Sequence, residues 1–276
     1  MKILKGKQPG PRRILLYGKH GVGKSTWAAQ APSPIFLNIE DGLANIDCDK
    51  TEPLKEFGEV MDSLVWLDQK EHEYRTVVVD TIDWVETLIQ KKICEEAGVT
   101  AIGDIEFNKG PGRGTPRWLM FVHWLDQLRT KRRMSVILLA HAAPLKAKNP
   151  GEESYDCWGP AIHHDASELL QEWADEVLYA RTRVFTKQED LGFKKTRSIA
   201  VGGEERYLQC SAPASANAKN RLGMPVEIPF SWDAYASYVT RPQPVAEQAS
   251  EQVRAGSDIA GLVVDGSSKV PAVPAA

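Results

Sequence analysis

Gly18-Lys19-His20-Gly21-Val22-Gly23-Lys24-Ser25 is the stretch on which the reading of this 276-residue chain turns. An apolar run, Arg13–Tyr17, leads into it, and a segment of helical character, Lys24–Ala31, leads out. Glycines let a backbone curl until successive N–H groups point into one concavity. A helix starting at the lysine adds the positive end of its dipole to the same place. G-x-x-x-x-G-K-[ST] between strand and helix is therefore the pattern of a phosphate-binding loop, rather than a plain glycine turn. The expected nucleotide contacts are Gly18, Lys19, His20, Gly21, Val22, Gly23, Lys24, Ser25 and Thr26. Lys24 is expected to reach the β- and γ-phosphates and Ser25 to offer its hydroxyl to a metal, so ATP and Mg²⁺ are the expected cofactors.

A magnesium site needs a carboxylate on a neighbouring strand. Thr76-Val77-Val78-Val79-Asp80 supplies one: a β-branched run without polar alternation reads as a strand buried on both faces, closed by an acid. A carboxylate there is costly unless something such as a metal partners it. Asp80 is the expected second metal ligand, beside Ser25. Hydrolysis also needs a group that orients water. Thr81, not a glutamate, follows Asp80, so the candidates are Glu40 and Asp41 at the exit of the apolar run Ile35–Ile39. Glu40 is preferred, and Asp41-Gly42 reads as a turn. His141 ends another buried run, Val136–Ala140, where its side chain is placed to sense a γ-phosphate. With Lys24, these make Glu40 and His141 the expected catalytic set.

The bulk numbers set limits. Hydrophobic residues are 42% of the chain, enough for a sizeable core, and the net charge is −3 with a pI near 6.1. That balance does not advertise nucleic acid or an anionic membrane, although loops can be basic on an acidic body. Cys48, Cys94, Cys157 and Cys210 are scattered, which argues against a zinc knuckle or redox pair and fits a reducing cytoplasm. His163-His164-Asp165 lacks further partners at ligand spacing, so no metal site is read there. No run approaches 18 apolar residues and the N-terminus lacks a signal-peptide stretch, so no membrane partner is expected.

Along the chain, residues 1–12 read as a basic flexible arm, 13–240 as one ATPase domain and 241–276, rich in Ala, Pro, Gly, Ser and Gln, as a disordered tail. Pro53 suits the first turn of a helix carrying Leu54, Phe57, Val60, Met61 and Leu64. Residues 99–116 and 142–165 read as long loops. A helix near Ser167–Ala174 follows. Arg197–Val201 and Glu204–Gln209 flank Gly202-Gly203, a two-residue hairpin signal. Strands alternating with helices, then a hairpin, predict an α/β fold: a mostly parallel sheet flanked by helices, with an antiparallel hairpin extension.

GKHGVGKS, LNIEDGL, TVVVDTID and ILLAH stand in an order and spacing that resemble the RecA-type P-loop ATPase core. More closely, they resemble the phage-encoded, AAA-type RecA-like nucleotide-binding proteins of the single-strand annealing or recombinase type. The resemblance covers residues 11–238. It implies a glutamate base after the second strand, matching Glu40, and a polar sensor after the fourth, where His141 replaces the usual glutamine. It implies two DNA-binding loops, matching residues 99–117 with Lys109, Arg113 and Arg117, and residues 142–165 with Lys146, Lys148, Tyr155 and Trp158. Glu152, Glu153 and Asp156 leave the second loop's charge mixed. It also implies basic residues that reach a neighbouring subunit's ATP, matching Lys219 and Arg221. The implied partners are single-stranded DNA and further copies of the chain in a head-to-tail oligomer or filament. A single-strand-binding protein is a further candidate partner, and the implied setting is the cytoplasm, a host's if the chain is phage-encoded. The implied function is an Mg-dependent ATPase acting in DNA recombination or single-strand annealing. The alternative is a RecA-like NTPase switch or helicase loader acting on protein partners. A small-molecule kinase is the weakest reading, because no lid arginine pattern is found.

Overall fold

The computed structural model describes residues 3, 5, 6, 8, 10–105, 111–147, 153–183, 185–190, 196–201, 205–212 and 215–240. In chain order its elements are β1 (Arg13–Gly18), α1 (Lys24–Ala28), β2 (Pro34–Asn38), β3 (Asp49–Lys50), α2 (Phe57–Gln69), β4 (Thr76–Asp80) and α3 (Ile82–Ala97). Then come α4 (Thr115–Lys131), β5 (Ser135–Ala147), β6 (Tyr155–Pro160), α5 (His164–Trp173), β7 (Glu176–Thr182), β8 (Phe185–Asp190) and β9 (Thr196–Val201). Last are β10 (Arg206–Gln209), β11 (Lys219–Asn220), β12 (Glu227–Pro229) and α6 (Trp232–Thr240).

Ten of these strands form one sheet in the order β12-β10-β7-β1-β5-β4-β2-β3, with β11 on β7 and β6 on β5. The strands from β7 to β3 run parallel, while β10, β11, β12 and β6 are antiparallel to their neighbours. The expected fold class, an α/β core of mostly parallel strands between helices with an antiparallel extension, is the one observed. All five residues of β4 are buried, and successive side chains alternate between two cores, as the pleat requires. Val77 and Val79 join Leu15, Tyr17 and Leu138 under α2, α3, α4 and α5. Val78 joins Leu16, Phe36 and Leu139, with Trp27 of α1 and Tyr235 of α6, on the other face. Among the described residues no helix is long and apolar enough to cross a membrane.

Several expectations need correction. Arg12 is not part of a free arm. Its guanidinium pairs with Glu176, which is fully buried, and its backbone N–H donates to Ser135 Oγ at 3.2 Å. Helix α2 begins at Phe57 behind an extended Glu56, so Pro53 lies outside it; Glu56 and Glu59 close a capping box instead. Residues 142–165 are not one long loop, because β5 continues to Ala147 and pairs antiparallel with β6, from Ala142 opposite Pro160 to Ala147 opposite Tyr155. The fully buried apolar run stops at Ala140, whereas the ladder continues through half-buried and exposed residues. The run at 197–201 pairs with β8, and β10 joins the main sheet against β7 and β12, so these two strands do not form the expected hairpin. Gly202-Gly203 and the 241–276 tail lie outside the described residues.

Candidate functional site

The register of the parallel strands assembles the site. Gly18 lies beside His141 across β1 and β5, Asn38 beside Asp80 across β2 and β4, and the N–H groups of Ile39 and Glu40 both donate to the Asp80 carbonyl, at 3.0 and 3.1 Å. Four stretches far apart in sequence therefore leave the sheet at neighbouring C-terminal strand ends, where ligands of such sheets collect. They line a cleft of about 430 Å³ with His20, Lys24, Ser25, Thr26, Glu40, Asp80, Thr81 and His141 on its walls.

Two glycines of the loop answer to close constraints. A Cβ on Gly18 would stand 2.6 Å from the Ala180 carbonyl of β7, so only glycine lets the two strands meet there. Gly23 adopts φ 100°, left-handed backbone that an L side chain resists, as the residue before α1. Behind it the Arg206 guanidinium donates to the Val22 carbonyl at 3.0 Å and lies over Phe230.

Lys24 is only 6% exposed. Its ammonium donates to the carbonyls of Gly18 and Lys19 at 3.1 and 3.3 Å, folded back onto the loop. Burial lowers its pKa, against the pull of Asp80, Glu40 and Asp83. Ser25 Oγ donates to Asp80 Oδ2 at 2.7 Å. Burial pushes the Asp80 carboxyl above the usual carboxylate range, and the Ser25 hydroxyl offsets only part of that. A hydroxyl and a buried carboxylate side by side are hard oxygen donors of the kind Mg²⁺ takes, so the residues present fit that ion.

On the other wall, Glu40 Oε2 accepts a long bond from Thr81 Oγ1 at 3.4 Å, and Glu40 Oε1 lies 3.7 Å from His141 Nε2. His141 is held through its far side. Asp83 accepts from its backbone N–H at 3.0 Å and from its Nδ1 at 2.7 Å. Burial pushes the Asp83 carboxyl up, but the bonds from His141 more than offset this and hold it below the usual range. An ionised Asp83 makes Nδ1 the protonated nitrogen and turns Nε2 toward Glu40. The His20 ring stacks on the His141 ring at 3.7 Å between centroids.

Asp83 and Arg206 were missed in the sequence reading. Asp83 sits inside the quoted TVVVDTID stretch, but an acid in a helix's first turn has a ready explanation in the dipole, and nothing links it to residue 141. Arg206 carries no sequence signal at all.

The remaining candidates lie elsewhere. Arg113 is exposed in a short turn, Pro111–Gly114. Arg117, on the first turn of α4, pairs with Glu96 of α3. Lys109 and Lys148 lie outside the described residues. Lys146 is exposed on β5, and Tyr155 is exposed on β6. Trp158 faces the phosphate loop, with Lys19 Nζ over its ring at 5.1 Å. Lys219 and Arg221 flank the start of β7, the end of the strand opposite the phosphate loop. Lys219 donates to the carbonyls of Gln171, Glu172 and Ala174 at 3.0, 2.8 and 2.7 Å. The expectation that it reaches a neighbour is corrected by this: its ammonium is committed to the C-terminus of α5. Arg221 pairs with Asp175 at 2.9 Å.

A scan against protein families matches residues 10–222 to the AAA domain. Among solved structures the chain is similar to the RadB recombinase, known from its crystal structure, at 12% sequence identity and a TM-score of 0.38. The alignment covers 62% of this chain and 75% of that one. No curated protein sequence matches the chain.

Proposed function

The chain belongs to the AAA domain family, and on that premise we propose that it is an Mg²⁺-dependent ATPase that works on single-stranded DNA in recombination or annealing. One arrangement carries the ATPase reading: Lys24, the Ser25–Asp80 pair, Glu40 and the Asp83-anchored His141 face one cleft from four strand ends. The Lys24 ammonium exchanges its two loop carbonyls for the β- and γ-phosphates. Ser25 and Asp80 would hold Mg²⁺, which would supply positive charge to offset the charge that develops on the phosphates. Glu40 accepts a proton from the attacking water and orients it. His141, its tautomer set by Asp83, stands beside Glu40 to meet the γ-phosphate.

The DNA reading is supported by exposed cations, Lys146 on the β5–β6 hairpin and Arg113 before α4, on the two stretches that the resemblance assigns to DNA. Basic residues on such segments neutralise phosphates and release counterions. Head-to-tail assembly, with Arg221 reaching a neighbour's nucleotide, belongs to the same proposal.

The test is ATP turnover by the full chain with and without an oligonucleotide, alongside particle imaging of the same mixtures. Turnover that requires Mg²⁺ and rises with single-stranded DNA, on filaments or rings, is the expected result. Turnover indifferent to DNA, with no oligonucleotide bound at low salt, transfers the reading to a switch or loader acting on protein.

A further inference from the structure

His20, Glu40 and His141 bring one ligand atom each to within 4.8 Å of one another, and among the described residues they are the one such group of three. We propose that they form a binding site for a divalent transition-metal ion, zinc above all, which the nucleotide-free protein takes up and which blocks hydrolysis when filled.

The chemistry of the donors separates this site from the Mg²⁺ position. Ser25 and Asp80 offer only oxygen, which suits a hard cation. Two imidazoles and one carboxylate suit Zn²⁺, Co²⁺ or Ni²⁺, and leave a fourth position for water. The geometry is prepared in part. Asp83 accepts a hydrogen bond from the Nδ1–H of His141, so Nε2 carries the free lone pair and already faces Glu40 Oε1 across 3.7 Å. A carboxylate behind a ligating histidine is the usual support of a zinc site, fixing the ring and raising its basicity. Glu40 is half-buried, with one oxygen toward Thr81 Oγ1 and the other toward His141. His20 stands exposed on the glycine loop with its ring stacked on that of His141, and its ligand nitrogen already lies within 4.8 Å of the other two ligand atoms. Ligands of a tetrahedral ion with bonds of about 2.0–2.1 Å stand roughly 3.4 Å apart, so closing the group takes about an ångström of side-chain motion.

The blocking effect rests on the proposed roles of Glu40 and His141, because an ion shared by both occupies the water-orienting carboxylate and the γ-phosphate contact at once. Metal uptake itself does not depend on those roles. His20 also belongs to the loop that curls around the phosphates, so nucleotide and transition metal compete for it.

The experiment is calorimetric titration of the full, nucleotide-free chain with ZnCl₂ under reducing conditions, and the visible absorption of the Co²⁺ form. One equivalent bound, with the intense bands of tetrahedral cobalt, is expected. His20→Ala, an exposed change that spares the core, and Glu40→Gln should each weaken binding at least tenfold. Asp83→Asn should weaken it about 10-fold or more through His141. His163→Ala/His164→Ala should leave it unchanged. Wild-type affinity retained in both His20→Ala and Glu40→Gln, or no uptake by the wild type, overturns the site. In turnover assays with Mg-ATP, Zn²⁺ should inhibit the wild type and a chelator should restore it. Zinc bound with the predicted ligands but without inhibition keeps the site and overturns the blocking effect, together with the proposed roles of Glu40 and His141.

Discussion

His141 is anchored by Asp83 through both carboxylate oxygens, one on its backbone N–H and one on its Nδ1. The ring is thereby fixed in orientation and tautomer, and Nε2 is left to the cleft. Asp83→Asn removes the negative charge and offers an amide whose N–H₂ competes with the ring proton. Turnover should fall on the order of 10²-fold, the scale of a mispositioned proton-transfer partner, while KM for ATP stays near wild type. Steady-state ATPase assays decide it. A loss confined to KM would place Asp83 in binding instead.

On the proposed reading, Lys24 exchanges the Gly18 and Lys19 carbonyls for two phosphates when ATP binds. Charge-assisted hydrogen bonds contribute about 1.5–3 kcal/mol each, so Lys24→Ala should weaken ATP binding by 10²-fold or more. Titration with a fluorescent ATP analogue measures this. Unchanged affinity would remove the basis of the nucleotide reading.

Asp80 is raised above its ordinary value of 3.8 by burial. A group raised in the folded state favours folding below its unfolded pKa, and that contribution is lost as pH rises through the folded pKa. At neutral pH the ionised Asp80 is therefore a cost. Asp80→Asn should raise the Tm of the nucleotide-free protein by a few degrees at neutral pH, with the gain fading as pH falls through the raised folded pKa and gone below 3.8. The same change should abolish the Mg²⁺ dependence of ATP binding. Thermal melts across pH would reveal a fall in Tm if the carboxylate were stabilising.

Lys219 satisfies three carbonyls at the end of α5, where a cation also meets the helix dipole. Lys219→Ala should cost about 1–2 kcal/mol by denaturant unfolding and leave turnover intact. Arg221→Ala subunits mixed with Glu40→Gln subunits should regain hydrolysis at the mixed interfaces. No recovery in the mixture counts against Arg221 acting across subunits.

Glu176 is fully buried, with Arg12 as its ion-pair partner and the Tyr235 hydroxyl donating at 3.2 Å. Arg12→Ala leaves that charge uncompensated, and a loss of about 3–5 kcal/mol is expected. Urea unfolding of the variant checks it. A negligible loss would return residues 10–12 to a free arm.

What the sequence determined by itself was local. The GKHGVGKS loop, the all-apolar runs ending in Asp80 and His141, and the strand before Glu40 were legible because glycine curvature, helix dipoles and two-sided burial act over a few residues. Their order predicted the α/β core. Contacts made across the sheet were not legible. Arg12 reaches Glu176 over 164 residues, Arg206 reaches Val22 over 184 and His141 reaches Asp83 over 58. A charged residue at a segment's edge looks alike whether it waves in solvent or closes a buried pair, and the far half of β5, interrupted by Pro144 and only partly buried, carries no strand pattern to announce it. Only strand register decided that Glu40, His141 and His20 meet, since pairing between distant segments is set by the packed sheet and not by any stretch of chain alone.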